Sequence, residues 1–172
     1  MPTLSLDWQL LGWTAMKLTI AWLLTLPTGW WREKELHAIG IRTFPIVALA
    51  SCGYLLIFRG VGGTDGLAAS SRVLQGLIAG IGFVGGGAIV RDGMSVHGTA
   101  TAASIWNTGA IGAAVAMDKY EVAIVLAFAP SYSYRLAAAM KPNVWTASLA
   151  TVFLVLAVLR FSSVSYFLYY FF

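Results

Sequence analysis

The stretch RVLQGLIAGIGFVGGGAIV, residues 72–90, decides how the whole chain is read. From Arg72 to Val90 it meets no further charge, and only Gln75 has a polar side chain. A bilayer core about 30 Å thick takes roughly 20 apolar residues as a helix. A helix in lipid satisfies its own backbone hydrogen bonds, so this run reads as a transmembrane span. Gly80, Gly82 and Gly85 also spell GxGxxG. That pattern marks a dinucleotide site only between a strand and a helix, with an acidic residue about 20 positions on. Here it lies inside an apolar span, with no acidic residue at that distance.

The rest of the chain agrees. Of its 172 residues 59% are hydrophobic and 10% charged, against about 25% charged in a soluble domain. The expected fold is all-α: a polytopic transmembrane helix bundle of about five or six spans, forming a single domain over residues 1–172. The spans are read as Trp8 to Gly29, Thr43 to Phe58, Arg72 to Val90, Thr99 to Met117 and Tyr120 to about Ala139, with an extra apolar segment over 143–172. Trp8, Trp13, Trp30 and Trp31 stand at the ends of the first span, where indole rings favour the membrane interface. Lys17 interrupts that span: either its long stem snorkels to the nearer interface, or it faces the bundle interior as a fixed charge. The first apolar run ends in Trp30-Trp31-Arg32, unlike a signal-peptide cleavage site.

The net charge is +4, but the basic residues stand at the ends of apolar runs, as loop Lys and Arg do in membrane proteins. No basic stripe with stacking aromatics occurs, so nucleic acid is not an expected partner. Arg32, Lys34, Arg42, Arg91, Arg135 and Lys141 fall on one side, and Arg59, Arg72, Lys119 and Arg160 on the other. The positive-inside rule makes the first side cytoplasmic and places the N-terminus outside.

The third span is rich in glycine. Gly76/Gly80 and Gly82/Gly86 are small-xxx-small pairs, which let helices approach closely in lipid. Ala103, Asn107, Ala110 and Ala114 form a facing stripe at helical spacing on the fourth span. The third span is therefore expected at the centre of the bundle, packed on the fourth through Gly76, Gly80, Gly82, Gly86, Ala103 and Ala110. A second reading lines a polar ion path with Gln75, Thr101, Ser104 and Asn107. Asn107 lies near mid-membrane and needs a partner there.

Charged residues gather at the cytoplasmic edge: Arg32, Glu33, Arg42, and Asp92 beside Arg91. Charge-assisted bonds could brace the helix ends there. Alternatively Glu33 and Asp92 belong to a weak divalent-cation or proton site, and Mg2+ suits one with few carboxylates. His37 and His97 are lone, and Cys52 is the single cysteine, so neither a zinc site nor a disulfide is expected. No nucleophile elbow or P-loop appears, so no enzyme activity is expected, and no cofactor beyond that Mg2+.

These residues resemble the MgtC/SapB membrane-protein family. Gly29-Trp-Trp-Arg32-Glu33 looks like its Gly-x-x-Arg-Glu, and Gly40-Ile-Arg42-Thr43 like its Gly-Leu-Arg-Thr. Gly80-Ile-Gly-Phe-Val-Gly-Gly-Gly87 is similar to its Gly-Ile-Gly-Phe-Leu-Gly-Ala-Gly helix, and Gly98-Thr-Ala-Thr101-Ala-Ala-Ser104-Ile-Trp106 to its Gly-Leu-Thr-Thr-Ala-Ala-x-x-Trp segment. The likeness covers residues 17–140. Two departures stand out: Ala69-Ser-Ser-Arg72 lacks the family's Asp-Pro, and the glycines common after the fourth span are replaced near Ala116 to Asp118. An apolar segment follows Lys141 where many members carry a soluble domain. The resemblance implies a bacterial inner-membrane protein linked to magnesium homeostasis. It would be a divalent-cation transporter, or else a non-transporting regulator of another membrane protein such as the F-type ATP synthase. The partners expected are the lipid bilayer, that membrane protein, and further copies of the chain.

Overall fold

The computed structural model describes residues 7–36, 40–58 and 64–139. The chain divides into two compact units, Met1–Ser131 and Tyr132–Phe172. The expected sixth span over 143–172 lies outside the described residues, as do the side chains of Lys34, His37, Arg59, Asp65 and Arg135. The described fold is all-α apart from one short hairpin. Its order is α1 (Trp8–Leu36), α2 (Thr43–Phe58), α3 (Thr64–Gly87), β1 (Val90–Asp92), β2 (Ser95–His97), α4 (Thr99–Ala116) and α5 (Tyr120–Ala139).

Four boundaries differ from those read in the sequence. α1 continues past Gly29 to Leu36 with Pro27 inside it, and the extra turns carry Arg32 inward, where it is buried. α3 starts at Thr64, so Asp65 belongs to its first turn. It ends at Gly87, before Val90. The segment expected as a tight loop over 91–98 is an antiparallel hairpin pairing Val90 with His97 and Asp92 with Ser95. Gly93 at its turn and Gly98 at its exit have φ of 58° and 86°, a region glycine enters without steric cost. A Cβ on Gly98 would also collide with the Ala88 carbonyl oxygen.

The helix expected at the centre is at the edge. α4 is the buried one: Ile111 to Ala116 are all buried and pack with Ala21, Ala48, Cys52, Ala123 and Ala127. α2 crosses α4 where Gly112 lies against the Ala48 carbonyl and Ser51. On α3, added Cβ atoms at Gly76, Gly80, Gly82 and Gly86 would meet nothing within 4 Å. Of the described glycines of that helix only Gly85 would meet α4, at the Ala102 backbone, and Ile81 packs there against Ile105 and Gly109. Ala103 is exposed and Ala110 half-buried. The glycine-to-alanine seam expected between the third and fourth spans is thus not the contact the fold uses. Small residues permit close approach wherever a partner backbone exists, and on α4 the tightest such place among the described residues is Gly112 against α2.

Candidate functional site

One face of α1 is buried along its length: Lys17, Ala21, Thr25, Thr28 and Arg32. The spacings of three and four residues put them in a single stripe. Four of the five are polar, so the face that enters the bundle is the polar one. Hydroxyls make that affordable. Thr25 donates to the carbonyls of Ala21 and Trp22 on its own helix, and Thr28 donates to Ala127 of α5 at 3.4 Å. On α4, Ser104 and Thr108 donate back to Ala100 and Ser104 at 2.9 and 2.8 Å. A hydroxyl bonded in this way presents mainly its methyl or methylene surface to neighbours.

The two cations of the stripe hold α1 to α4 at both ends. At one end the Arg32 guanidinium is buried and its Nη2 donates to Thr101 Oγ1 at 2.8 Å. At the other, Lys17 is 0% exposed, so of its two sequence readings it takes the inward one and does not snorkel. Its Nζ forms an ion pair with Asp118 Oδ1 at 2.5 Å and donates to the Ala116 carbonyl at 3.1 Å. The Trp13 ring centroid lies 5.1 Å from the same nitrogen, within cation–π range. Lys17 to Arg32 and Thr101 to Ala116 are equal steps of fifteen residues on antiparallel helices. The clamps therefore stand about 22 Å apart on each, at 1.5 Å per residue.

The Lys17 end depends on how α4 stops. Lys119 N–H bonds to the Ala114 carbonyl and Asp118 N–H to that of Val115. This is a Schellman motif, whose left-handed position is normally glycine. Here it is Asp118, at φ 59°. The motif uses the carbonyls of Ala114 and Val115, and the ammonium of Lys17 takes that of Ala116. A cation there also suits the negative end of the helix dipole. Tyr120 donates its hydroxyl to Asp118 Oδ1 at 3.1 Å. Sequence reasoning noted that Ala116 to Asp118 had lost the family's glycines, but missed that a carboxylate placed there faces Lys17.

The expected site residues do not converge. Glu33 accepts the Ile41 N–H at 3.0 Å, and its Cα and Cβ are so close to Gly40 that a side chain there would collide with them. Gly29 lies equally tight under the Ile41 backbone. The two glycine motifs thus form one joint between the end of α1 and the start of α2. Arg42 is exposed. Arg91 donates to the Gly93 carbonyl within the hairpin, at 3.2 Å, and Asp92 is exposed on β1. Gln75 is exposed on α3. Asn107 donates to the Leu126 carbonyl of α5 at 3.0 Å, the partner its depth demanded. Thr101 and Ser104 are buried.

The open spaces lie elsewhere. A groove of about 500 Å³ between α2 and α3 is lined by residues such as Val47, Tyr54, Gly76, Gly80, Val84 and Ile105. A smaller one of about 190 Å³ between α3 and α4 runs past Leu74, Ile78, Trp106, Ala110 and Met117. Both are apolar, and of the expected path-lining residues Gln75, Thr101, Ser104 and Asn107 neither contains one. Among the described residues no group of three or more His, Cys, Asp or Glu is placed to hold a metal ion.

The Arg32 clamp makes a direct prediction. Thr101→Val keeps the shape and removes one acceptor of a buried cation, so it should cost about 2 kcal/mol. Thr101→Ser should recover most of that. Equilibrium unfolding in detergent micelles reads both, and a Val variant as stable as the parent would refute the role of the bond.

The sequence matches the MgtC family over residues 18–141. It is 33% identical over 133 residues to the protein SrpB of Synechococcus elongatus, covering 71% of each chain. It is 33% identical over 105 residues to the protein MgtC of Brucella abortus, covering 61% of this chain and 43% of that protein. To the protein MgtC of Salmonella typhimurium it is 30% identical over 109 residues, covering 63% and 46%. The matched region spans less than half the length of those two MgtC proteins. No solved structure shows a significant match. The family match covers well over half of the chain, and the apolar α1 and α3 are each long enough to cross a bilayer: the chain belongs to the MgtC family of membrane proteins.

Proposed function

We propose that this is a bacterial inner-membrane protein linked to magnesium homeostasis, with its N-terminus outside, and that it acts by binding another membrane protein rather than by conducting an ion. One observation carries the choice. Ser104, Asn107 and Thr108 of α4 are turned inward and hydrogen-bonded, whereas on α3 a Cβ at Gly76, Gly80, Gly82 or Gly86 would meet nothing within 4 Å, and Gly82 and Gly86 form a close-approach pair on a side away from the groove that Gly76 and Gly80 line. An ion path needs polar groups along a wet cavity, and both grooves seen among the described residues are apolar. A glycine face with no neighbour suits a transmembrane helix of a second protein. The magnesium link rests on family membership.

The test is capture of a partner by crosslinking in native membranes, trying first the F-type ATP synthase that the family resemblance suggests. Gly82→Leu should lower capture at least tenfold while leaving the unfolding midpoint unchanged, because the new side chain meets open space. Glu33→Gln should leave capture near the parent level. Loss with Glu33→Gln and retention with Gly82→Leu would reverse the assignment. Magnesium flux by the purified protein in liposomes would defeat it.

A further inference from the structure

The charges exposed on opposite sides of the bundle lie closer together than the two faces of an ordinary bilayer. On one side Glu33 and Arg42 are exposed at the level where Arg32 meets Thr101. On the other side the level is set by Arg72, Lys119 and Glu121, all exposed. Gly85 of α3 touches the Ala102 backbone. Arg72, thirteen residues earlier on that helix, therefore stands only about 20 Å from the Glu33 level at 1.5 Å per residue. Leu74 and Met117 line one groove, which puts Arg72 beside the α4–α5 turn that carries Lys119. Glu121 is five residues before Leu126, whose carbonyl Asn107 holds, and Asn107 is six residues past Thr101, so Glu121 lies about 17 Å from the first level. α2 has 16 residues, about 24 Å of helix.

A hydrocarbon core is about 30 Å thick. Tilting cannot reconcile the two, because it shortens the projected distance further. Lys119 and Arg72 can snorkel part of the way, but Glu121 has a short side chain and cannot. α1 is free to continue outward. Its turns beyond Lys17 expose Trp8 and Trp13, and indole rings favour the interfacial layer.

We propose that the protein draws phospholipid headgroups inward to a collar formed by Arg72, Lys119 and Glu121, thinning the leaflet around the α4–α5 turn by several ångströms. The bilayer yields because mismatch costs only a fraction of a kilocalorie per ångström, whereas a carboxylate in hydrocarbon must lose its hydration. The collar sits in the described part of the bundle and does not depend on partner capture.

The experiment uses the full chain in phosphatidylcholine vesicles with monounsaturated acyl chains of 14, 18 or 22 carbons. A nitroxide is attached at Lys119→Cys in a Cys52→Ala background, with Val125→Cys, exposed on α5, as the depth reference. Because the label is uncharged, it reports depth without snorkelling. In 18-carbon lipid the Lys119 label should be open to a water-soluble nickel relaxant, and the Val125 label to oxygen instead. A Lys119 label shielded from nickel and rich in oxygen overturns the proposal. The unmodified protein supplies a second measurement: its unfolding midpoint should be highest in 14-carbon lipid and fall by several degrees in 22-carbon lipid. A midpoint that rises with chain length overturns the proposal as well.

Discussion

Asp118→Ala is expected to destabilise the protein by about 3 kcal/mol. Removing one partner of a buried ion pair leaves the other charge uncompensated, which costs about 3–5 kcal/mol. The Asp118 side chain is 32% exposed, so solvent screens part of the pair and the lower figure applies, about 3 kcal/mol. The size of the loss comes from Lys17. Its ammonium is 0% exposed and, among the described residues, would keep the Ala116 carbonyl and the Trp13 ring. The reverse change is milder. Lys17→Met leaves a carboxylate that still reaches water and holds the Tyr120 hydroxyl, and it gives up one cap on α4, a loss of about 1–2 kcal/mol. Combining Lys17→Met with Asp118→Gly removes both charges and puts glycine at φ 59°, where a side chain costs about 1 kcal/mol. The double variant should fall within about 1 kcal/mol of the parent. Denaturant titration in micelles reads all three. With Asp118→Gly also measured alone to close the cycle, a double loss equal to the sum of the single losses would mean the pair does not act as a unit.

Why this pair escaped the sequence reading can be stated physically. Lys17 in an apolar run has two outlets, the interface or a partner, and the choice depends on which way its helix face turns. The stripe Lys17, Ala21, Thr25, Thr28, Arg32 was legible at helical spacing, but small polar residues were not weighed as an inward face. Asp118 reads as a loop residue until α4 is seen to end in a left-handed turn. Helix positions were easier. Charges and turns bound apolar runs sharply, so α2 (Thr43–Phe58) starts and stops where the sequence says, and α4 and α5 nearly so. The hairpin was missed because its strands are three residues each, too short to show alternation. Of the charged edge, the pairing of Glu33 with the Ile41 N–H could not be read, since it depends on Gly29 and Gly40 letting two backbones touch.

The glycines show what such residues do and do not announce. α3 carries more of them, and that drew the expected packing seam there. A small residue says only that some neighbour can come close; it does not name the helix that has one. Gly112 of α4 is where the approach is made: an added Cβ would strike the Ala48 carbonyl oxygen, and the Ala48 carbon and Ser51 Cβ lie 3.0 Å away. Backbone cannot swing aside as a side-chain tip can, so even Gly112→Ala must separate α2 from α4. Overpacking of that kind costs about 1–3 kcal/mol, and with backbone in the way Gly112→Ala should reach about 3 kcal/mol. Gly112→Leu should yield no folded protein. Gly109→Ala should be gentler, because its nearest obstacle is the flexible end of Ile81. Gly82→Ala on α3 meets nothing within 4 Å and should be neutral or stabilise by up to about 1 kcal/mol through helix propensity. Unfolding midpoints of the three alanine variants in one detergent decide the matter. If Gly82→Ala proves the most damaging, the helix packed at the heart of the fold is α3 and the placement of α4 there is wrong.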